Sequence, residues 1–288
     1  VRRRWAWAGR RPRRGVVATL DAYAVGWARA SRDACRSAQT MGDGGAVVAD
    51  RRLACLARRR DSAAALIREL TEHADDEAIS AAPAEMRRLP TIADCADGDA
   101  LARQPQPTEA QRPLVREVEA ALATFDAQLA AGHYPAAAAS LPPLEVRAER
   151  IGFAPLWAEV LGRRGQLAAV QGEFAGSTRD LHASVALARR HGLDDIEQTG
   201  WEFLSSSRLG SDFATALAAA QHAEAVAVRR DDQVGAVNAA ISAAYNELNL
   251  GRTEAARLRL TAVAPRVPAA VAALTASCAA SASRRLAA

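Results

Sequence analysis

Four glycines recur at nearly even intervals in the second half of the chain, and each interrupts a segment rich in alanine. They lie roughly 40 residues apart, at Gly132, Gly172, Gly210 and Gly251. A period of about 40 residues matches two antiparallel helices of about fifteen to eighteen residues with their turns. Glycine suits such a turn because the residue after a helix often adopts a left-handed conformation, which costs other residues energy. The spacing therefore predicts helical hairpins with one glycine turn inside each.

Two further patterns accompany the glycines. An aromatic side chain, which can cover the end of the hairpin core, follows three of them at two or three residues. These aromatics are Tyr134, Phe174 and Phe213, and Thr253 takes the place in the fourth repeat. Five residues after each glycine is a small side chain, where the second helix would cross close to the first: Ala137, Ser177, Thr215 and Ala256. The alternative is that an alanine-rich helical protein produces such a pattern by coincidence.

The composition favours an all-α fold. Half of the residues are hydrophobic, aromatics make up 5%, and β-branched residues do not cluster into alternating runs. The chain contains no lysine, so all 37 of its basic residues are arginine. The absence of lysine excludes a P-loop lysine, the ATP-binding lysine of a protein kinase and a Schiff-base lysine.

Proline and glycine divide the chain. The segment LARQPQPTEAQRP (101–113) carries three prolines and few apolar residues, which is typical of an exposed hinge, with a boundary near residue 108. The predicted divisions are a basic disordered head (1–15), an N-terminal helical hairpin region (16–102), a linker (103–112), the hairpin repeats (113–264) and a C-terminal helix or tail (265–288).

Apolar residues at helical intervals predict two long helices in the N-terminal region, over 16–37 and 49–73. MGDGG (41–45) should separate them, because it is too glycine-rich to continue either helix. A shorter helix over 76–88, started by an acidic run, should end before Pro90.

Charge and cysteine usage suggest a cytoplasmic chain, although a membrane-tethered parent chain is possible. The head RRRWAWAGRRPRR (2–14) supplies seven arginines and the remainder is slightly acidic, so no nucleic-acid partner is expected. No apolar run is long enough to span a membrane. The four cysteines lack metal-ligand spacing and are expected to be buried reduced thiols, with a Cys35–Cys55 bridge as the alternative: Cys35, Cys55, Cys95 and Cys278.

The glycine, the aromatic two residues on and the small residue five on resemble the tetratricopeptide repeat, in a variant with a period near 40. Leu161 and Gly165 in the second repeat fit the family pattern best. The resemblance covers residues 113 to about 264. It implies helical hairpins stacked as a right-handed superhelix, with a concave groove that takes a protein or peptide ligand.

A second resemblance covers residues 20–102. LDAYAVGWARASRDACRSAQTMGDGGAVVADRRLACLARRR (20–60) and LPTIADCADGDAL (89–101) look like the segment before the repeats in large bacterial serine/threonine protein kinases of the myxobacterial type. The kinase domain of that family is missing, and no HRD loop, DFG triplet or glycine-rich loop is present. The resemblance therefore implies a kinase-associated scaffold or sensor region and carries over no catalytic residue.

No residue pattern predicts a catalytic, metal or cofactor site. The histidines do not form an HExxH arrangement or lie beside a matched carboxylate pair, so surface or turn positions are expected for all five: His73, His133, His182, His191 and His222. No GxSxG elbow surrounds the serines at 205–207. We therefore expect a protein that is not an enzyme.

Polar residues on the first helices of repeats two to four are the candidates for contact with a peptide. Asparagine can donate to and accept from a peptide backbone, and arginine suits a carboxylate. The candidates are Arg163, Arg164, Glu202, Asn238, Asn246 and Asn249. The leading interpretation is a non-catalytic interaction or sensor module. The alternative is the partner-sensing helical-repeat region of a transcriptional regulator.

Overall fold

The computed structural model describes residues 10–40, 42–73, 75–87, 89–206 and 212–267, and all regular structure in these ranges is helical. The all-α prediction is confirmed. The twelve described α-helices are α1 Arg10–Thr40, α2 Gly42–Glu72, α3 Asp76–Arg87, α4 Gly98–Arg103, α5 Arg112–Ala130, α6 Tyr134–Ile151, α7 Ala154–Val170, α8 Phe174–His191, α9 Asp194–Leu204, α10 Phe213–Arg229, α11 Gln233–Asn249 and α12 Thr253–Val263. Two short 3-10 turns cover Ala93–Ala96 and Ala264–Arg266.

The helix limits differ from the prediction at the N-terminal end. Helix α1 begins at Arg10, so residues 10–15 of the predicted disordered head are helical, and residues 1–9 lie outside the described residues. Arginine is a good helix former, which is consistent with this start. Helix α2 begins at Gly42, so GDGG forms its first turn instead of a separate loop. Helix α3 ends at Arg87, before Pro90, as predicted.

The chain divides into two compact units, Val1–Leu156 and Trp157–Ala288, and not near residue 108. The physical reason is a shared core in the first unit. Leu66 and Leu70 of α2 lie in one buried apolar cluster with Ala123 and Ala127 of α5, so the first predicted repeat packs on the N-terminal helices. The proline-rich linker therefore joins two parts of one unit.

Residues 91–103, which we call the strap, lie against the hairpin of α1 and α2. A disulfide joins Cys55 of α2 to Cys95 of the strap, with their Cα atoms 5.5 Å apart. Three arginines of α2 also donate to backbone carbonyls of the strap at 2.7–3.2 Å: Arg51, Arg52 and Arg59. Tyr23 and Trp27 of α1 donate to backbone carbonyls of Pro90 and Leu56, at 3.0 and 2.7 Å.

Both cysteine expectations are wrong: the pair Cys55 and Cys95 is oxidised rather than reduced, and the bridge is not the alternative Cys35–Cys55. Cys55 and Cys95 are both buried and form a disulfide, whereas Cys35 is exposed and free. Helical spacing explains the difference, because Ala34 is buried against Cys55 while the adjacent Cys35 points about 100° away around α1. Cys278 lies outside the described residues.

The second unit consists of antiparallel neighbours in the order α8 to α12, together with most of α7. Alanines form most of the buried face of α10 and α11: Ala216, Ala219, Ala220, Ala223, Ala227, Ala236, Ala239, Ala240, Ala243 and Ala244. The two helices approach closely along these small side chains. Gly165 of α7 and Gly200 of α9 have the same effect, because an added Cβ would lie 2.7 Å from Leu181 and 2.5 Å from Val185.

Three of the four predicted glycine bends are confirmed. Gly132, Gly172 and Gly251 join consecutive helices with φ of 81°, 81° and 73°. At each bend the following residue donates its backbone N–H to the carbonyl five residues earlier: His133 to Gln128, Glu173 to Ala168 and Arg252 to Glu247. This repeated geometry is a Schellman-type helix end. Gly210 lies outside the described residues.

A second set of left-handed bends lies between the predicted hairpins. Gly152, Gly192 and Asp231 have φ of 68°, 65° and 55°. Asp231 is the one non-glycine residue with positive φ in the described part of the chain, and aspartate tolerates this conformation better than most residues. In the described residues the left-handed bends from Gly132 to Gly192, and again from Asp231 to Gly251, thus lie about 20 residues apart, and the sequence prediction identified only alternate ones.

Two details of the repeat pattern are wrong. Thr215 is exposed, because Asp212 caps α10 and accepts hydrogen bonds from the Thr215 N–H and hydroxyl at 2.8 and 3.0 Å. Ala216 takes the buried position instead. Tyr134 and Phe174 are 37% and 40% exposed and so cover little of a hairpin core.

Candidate functional site

Helix α11 presents a strip of mixed apolar and amide side chains, of which three are exposed and two, Ile241 and Asn249, are half-buried. The strip consists of Val234, Asn238, Ile241, Tyr245 and Asn249, spaced by three or four residues so that they share one face. Val234 and Tyr245 are 58% and 50% exposed. We call these five residues the α11 strip.

On α11 the buried apolar side chains are mostly small ones, whereas burial usually favours the larger apolar side chains. Five alanines of this helix are 5% exposed or less, while the large side chains of Val234 and Tyr245 face outward. Burial of a large apolar side chain contributes roughly 1.5–3 kcal/mol, so this order leaves stabilisation unused within the unit. Single exposed apolar residues are ordinary. Val234 and Tyr245 share one face of α11 with Asn238 and the half-buried Ile241, which makes that face the candidate for an interaction site.

A polar network fixes the start of α11. Asp232 caps the helix by accepting a hydrogen bond from the Gly235 N–H at 2.8 Å. Gln198 of α9 donates to Asp232 and to Glu202, both at 2.9 Å, and accepts from Arg230 at 2.6 Å. An added Cβ on Gly235 would overlap the Gln198 amide and the Asp232 carboxylate, so a larger residue there would displace these side chains.

Arg259 of α12 fixes the other end of α11. Its guanidinium contacts the buried Glu247 of α11 at 2.8 Å and Glu224 of α10 at 2.9 Å. Hydrogen bonding to Glu247 raises the pKa of Arg259 above its ordinary value, despite the opposing effect of burial. The helix that carries the strip is therefore held at both ends by charge-assisted hydrogen bonds.

The three candidate asparagines have different environments. Asn238 and Asn249 lie on the α11 strip, and the Asn249 side chain donates to the Tyr245 carbonyl at 2.8 Å. Asn246 is fully buried, so its assignment to the groove is wrong. At about 100° per residue, Asn249 lies about 20° from Asn238 around the helix, whereas Asn246 lies about 80° away. The helical period alone separates Asn246 from the other two.

Asn246 has a structural role. Its side-chain amide donates to the Ser205 and Ser242 carbonyls at 3.2 and 3.0 Å, and the hydroxyls of these two serines lie 2.9 Å apart. The cluster joins the end of α9 to α11. It also explains the buried position of Ser205, which needs no catalytic role.

The two candidate arginines of α7 are engaged within the second unit. Arg164 forms a two-point pair with Asp180 of α8 at 2.6 and 3.0 Å, and Arg163 pairs with Glu159 at 3.4 Å. Burial would raise the pKa of Asp180, but hydrogen bonds from Arg164 and Arg179 hold it below its ordinary value. Arg164 therefore joins α7 to α8, and the carboxylate that it binds in this structure belongs to the chain itself.

Glu202 is half-buried on α9 and accepts a hydrogen bond from Gln198. Of the six candidates, Asn238 and Asn249 lie on the α11 strip, and Glu202 is linked to the start of α11 through Gln198 and Asp232. Sequence reading did not identify Val234, Ile241 and Tyr245, although their spacing relative to Asn238 was available.

One histidine has a carboxylate pair that the sequence reading did not find. His133 lies between Glu69 and Asp75, which are distant in sequence. Within the described ranges, no group of three or more histidine, cysteine, aspartate or glutamate side chains could hold a metal ion.

The comparisons with known proteins give no family. A scan against protein-family models gives no match, and a search of curated proteins gives none either. Of the helices that the structure describes, none has an apolar stretch long enough to cross a bilayer.

Proposed function

We propose that this chain is a non-catalytic protein-interaction module of tetratricopeptide type, similar to the C-terminal scaffold or sensor region of a bacterial serine/threonine protein kinase. Its helical hairpins would stack as a right-handed superhelix, with a peptide ligand along the α11 strip. The observation that carries the proposal is the exposed face of α11, where Val234 and Tyr245 flank Asn238. The recurrent left-handed bends support the repeat architecture.

Each part of the strip suits a different part of a peptide. Tyr245 and Val234 offer apolar contact area at low cost in side-chain entropy, since each has few rotatable bonds. The Asn238 amide can donate to a peptide carbonyl and accept from a peptide N–H. The strip extends over 16 residues of helix, or about 22 Å from Val234 to Asn249, which an extended peptide of about seven residues would cover.

A non-catalytic role agrees with the chemistry of the chain. It has no lysine for phosphate binding or for a Schiff base. The ionisable residues around α11 are engaged in the networks that hold the helix in place. We expect no phosphate transfer when the purified chain is incubated with radiolabelled ATP, and measurable phosphorylation would contradict the proposal.

The binding role can be tested with a phage-displayed library of random twelve-residue peptides, selected on the purified chain of 288 residues. Selected peptides should bind Tyr245→Ala about 30-fold more weakly, as expected for loss of an aromatic anchor worth about 2 kcal/mol. Val234→Ser should also weaken binding. Val228→Ser is the matched control, because Val228 is 62% exposed on α10, outside the strip.

The outcomes separate the possibilities clearly. Peptides that bind both strip variants as tightly as the unaltered chain would place the site elsewhere. A library that yields no specific binder would contradict peptide binding itself. Circular dichroism should show the same helical content for all three variants, because each substituted side chain is exposed.

A further inference from the structure

The bend between α5 and α6 is connected to the N-terminal helices through one imidazole. His133 follows Gly132 in this bend. Its Nδ1 lies 2.5 Å from Glu69 Oε1 on α2, and its Nε2 lies 3.1 Å from Asp75 Oδ2, just before α3. The two carboxylates are 64 and 58 residues away in sequence, so these contacts hold together separate parts of the first unit.

The geometry specifies the protonation state of the imidazole. An ionised carboxylate only accepts hydrogen bonds, and a neutral imidazole carries a single N–H. Both ring nitrogens can donate at once only if His133 is an imidazolium. The Glu69 side chain is only 7% exposed, so solvent can replace the imidazolium as its partner only poorly.

The surroundings favour the charged form. The hydrogen bond to Glu69 is the main cause that raises the pKa of His133 above its ordinary value, and Asp75 adds to this, while burial opposes it. The exposed His73, one residue beyond the end of α2, also faces the ring, edge-on at 6.3 Å between ring centroids. Helix α5 contributes a backbone contact, the Gln128 carbonyl, which accepts from the His133 N–H at 2.9 Å.

We propose that His133 is a pH-sensitive tie that holds the α5–α6 bend against α2 and the start of α3, closed when doubly protonated and loosened when it loses a proton. A neutral ring must turn a lone pair toward one carboxylate, so one of the two contacts is lost. Asp75 also caps α3 by accepting from the Ala78 N–H at 2.8 Å, so the change reaches the start of that helix. The apolar cluster of α2 and α5 beneath keeps the unit folded.

The direction of the pH effect follows from the raised pKa. The stability that the His133 contacts contribute is fully present below the unfolded pKa of histidine, about 6.5. It is lost as the pH rises through the higher pKa of His133 in the folded chain. Over that window, the local opening constant should rise roughly tenfold for each pKa unit that separates the two values. A pH above the folded pKa of His133 therefore releases the bend, and a pH below the unfolded value holds it.

The test is an NMR titration of the histidine Cε1–H signals of the full chain between about pH 5 and 9, with amide hydrogen exchange at residues 75–80 and 129–137. His133 should titrate above the ordinary histidine value, and Glu69→Gln should lower its pKa. After correction for the intrinsic effect of pH on exchange, the opening constant of these residues should rise as His133 loses its proton. His133→Gln should remove the pH dependence, whereas His191→Gln, the control, should retain it.

Two results would overturn the proposal. One is a His133 signal that titrates at or below the ordinary histidine value in the unaltered chain, a measurement that requires no variant. The other is local opening with the same pH dependence in His133→Gln as in the unaltered chain. If His133→Gln fails to fold, the titration of the unaltered chain and of Glu69→Gln decides the question.

Discussion

The Cys55–Cys95 disulfide should be a major contribution to the stability of the first unit. It closes a loop with a sequence separation of 40 residues. In the chain-entropy model, closing a loop of this length raises the free energy of the unfolded chain by about 4 kcal/mol. The arginine and tyrosine hydrogen bonds to residues 90–102 remain when the bond is removed, so the strap should stay near its place in the folded state. We therefore expect Cys95→Ser to lower the free energy of unfolding by roughly 2–4 kcal/mol.

The assay is urea unfolding of the full chain, followed by circular dichroism, for the unaltered chain, Cys95→Ser and Cys35→Ser. Cys35→Ser is the control, because Cys35 is exposed and unpaired, and its effect should stay within about 0.5 kcal/mol. Reductant should destabilise the unaltered chain and leave Cys95→Ser unchanged. Mass spectrometry after alkylation in denaturant should find Cys55 and Cys95 unlabelled unless reductant is added.

Two results would refute this reasoning. The first is labelling of Cys55 and Cys95 without reductant, which would show that the pair is not oxidised. The second is a Cys95→Ser variant no less stable than Cys35→Ser, which would show that the crosslink does not restrict the unfolded chain.

Three further substitutions, one of them a control, test the packing of the second unit. Gly200→Ala should lower the free energy of unfolding by about 1–3 kcal/mol, because its Cβ would lie 2.5 Å from Val185. Gly176→Ala is the control, with its nearest contact at 3.9 Å, and should be neutral or slightly stabilising. Thermal unfolding compares the two variants, and equal stability would contradict the close approach of α8 and α9. Asn246→Ala should cost about 1–3 kcal/mol in urea unfolding, because the buried Ser205 carbonyl loses a donor, and a change below about 0.5 kcal/mol would show that this hydrogen bond contributes little.

The all-α class and several of the bends could be predicted from the sequence, because bends of this kind depend on local conformation. A left-handed residue after a helix favours glycine wherever it occurs, so Gly132, Gly172 and Gly251 reveal the period without any knowledge of the packing. Gly152 and Gly192 carried the same signal and were missed. Asp231 could not be found in this way, because aspartate is common at helix starts and rarely indicates positive φ.

The sites could be predicted only in part, because they depend on which elements pack together. The positions of Asn238 and Asn249 on one face follow from the helical period. The contacts of His133 with Glu69 and Asp75 depend on the packing of α5 against α2, as the Cys55–Cys95 bond depends on the path of the strap. No spacing in the sequence encodes either, since the partners are separated by 40 residues or more.

The construction of α11 bears on how its strip would bind. Its start is fixed through Asp232 and Gln198 and its end through Glu247 and Arg259, so the helix should not need to rearrange when a peptide binds. A rigid surface loses little conformational entropy on binding, and more of the contact energy therefore appears as affinity. The same rigidity separates binding from folding: substitution of the exposed Val234 should weaken binding without loss of stability, whereas substitution of Asp232 should reduce both.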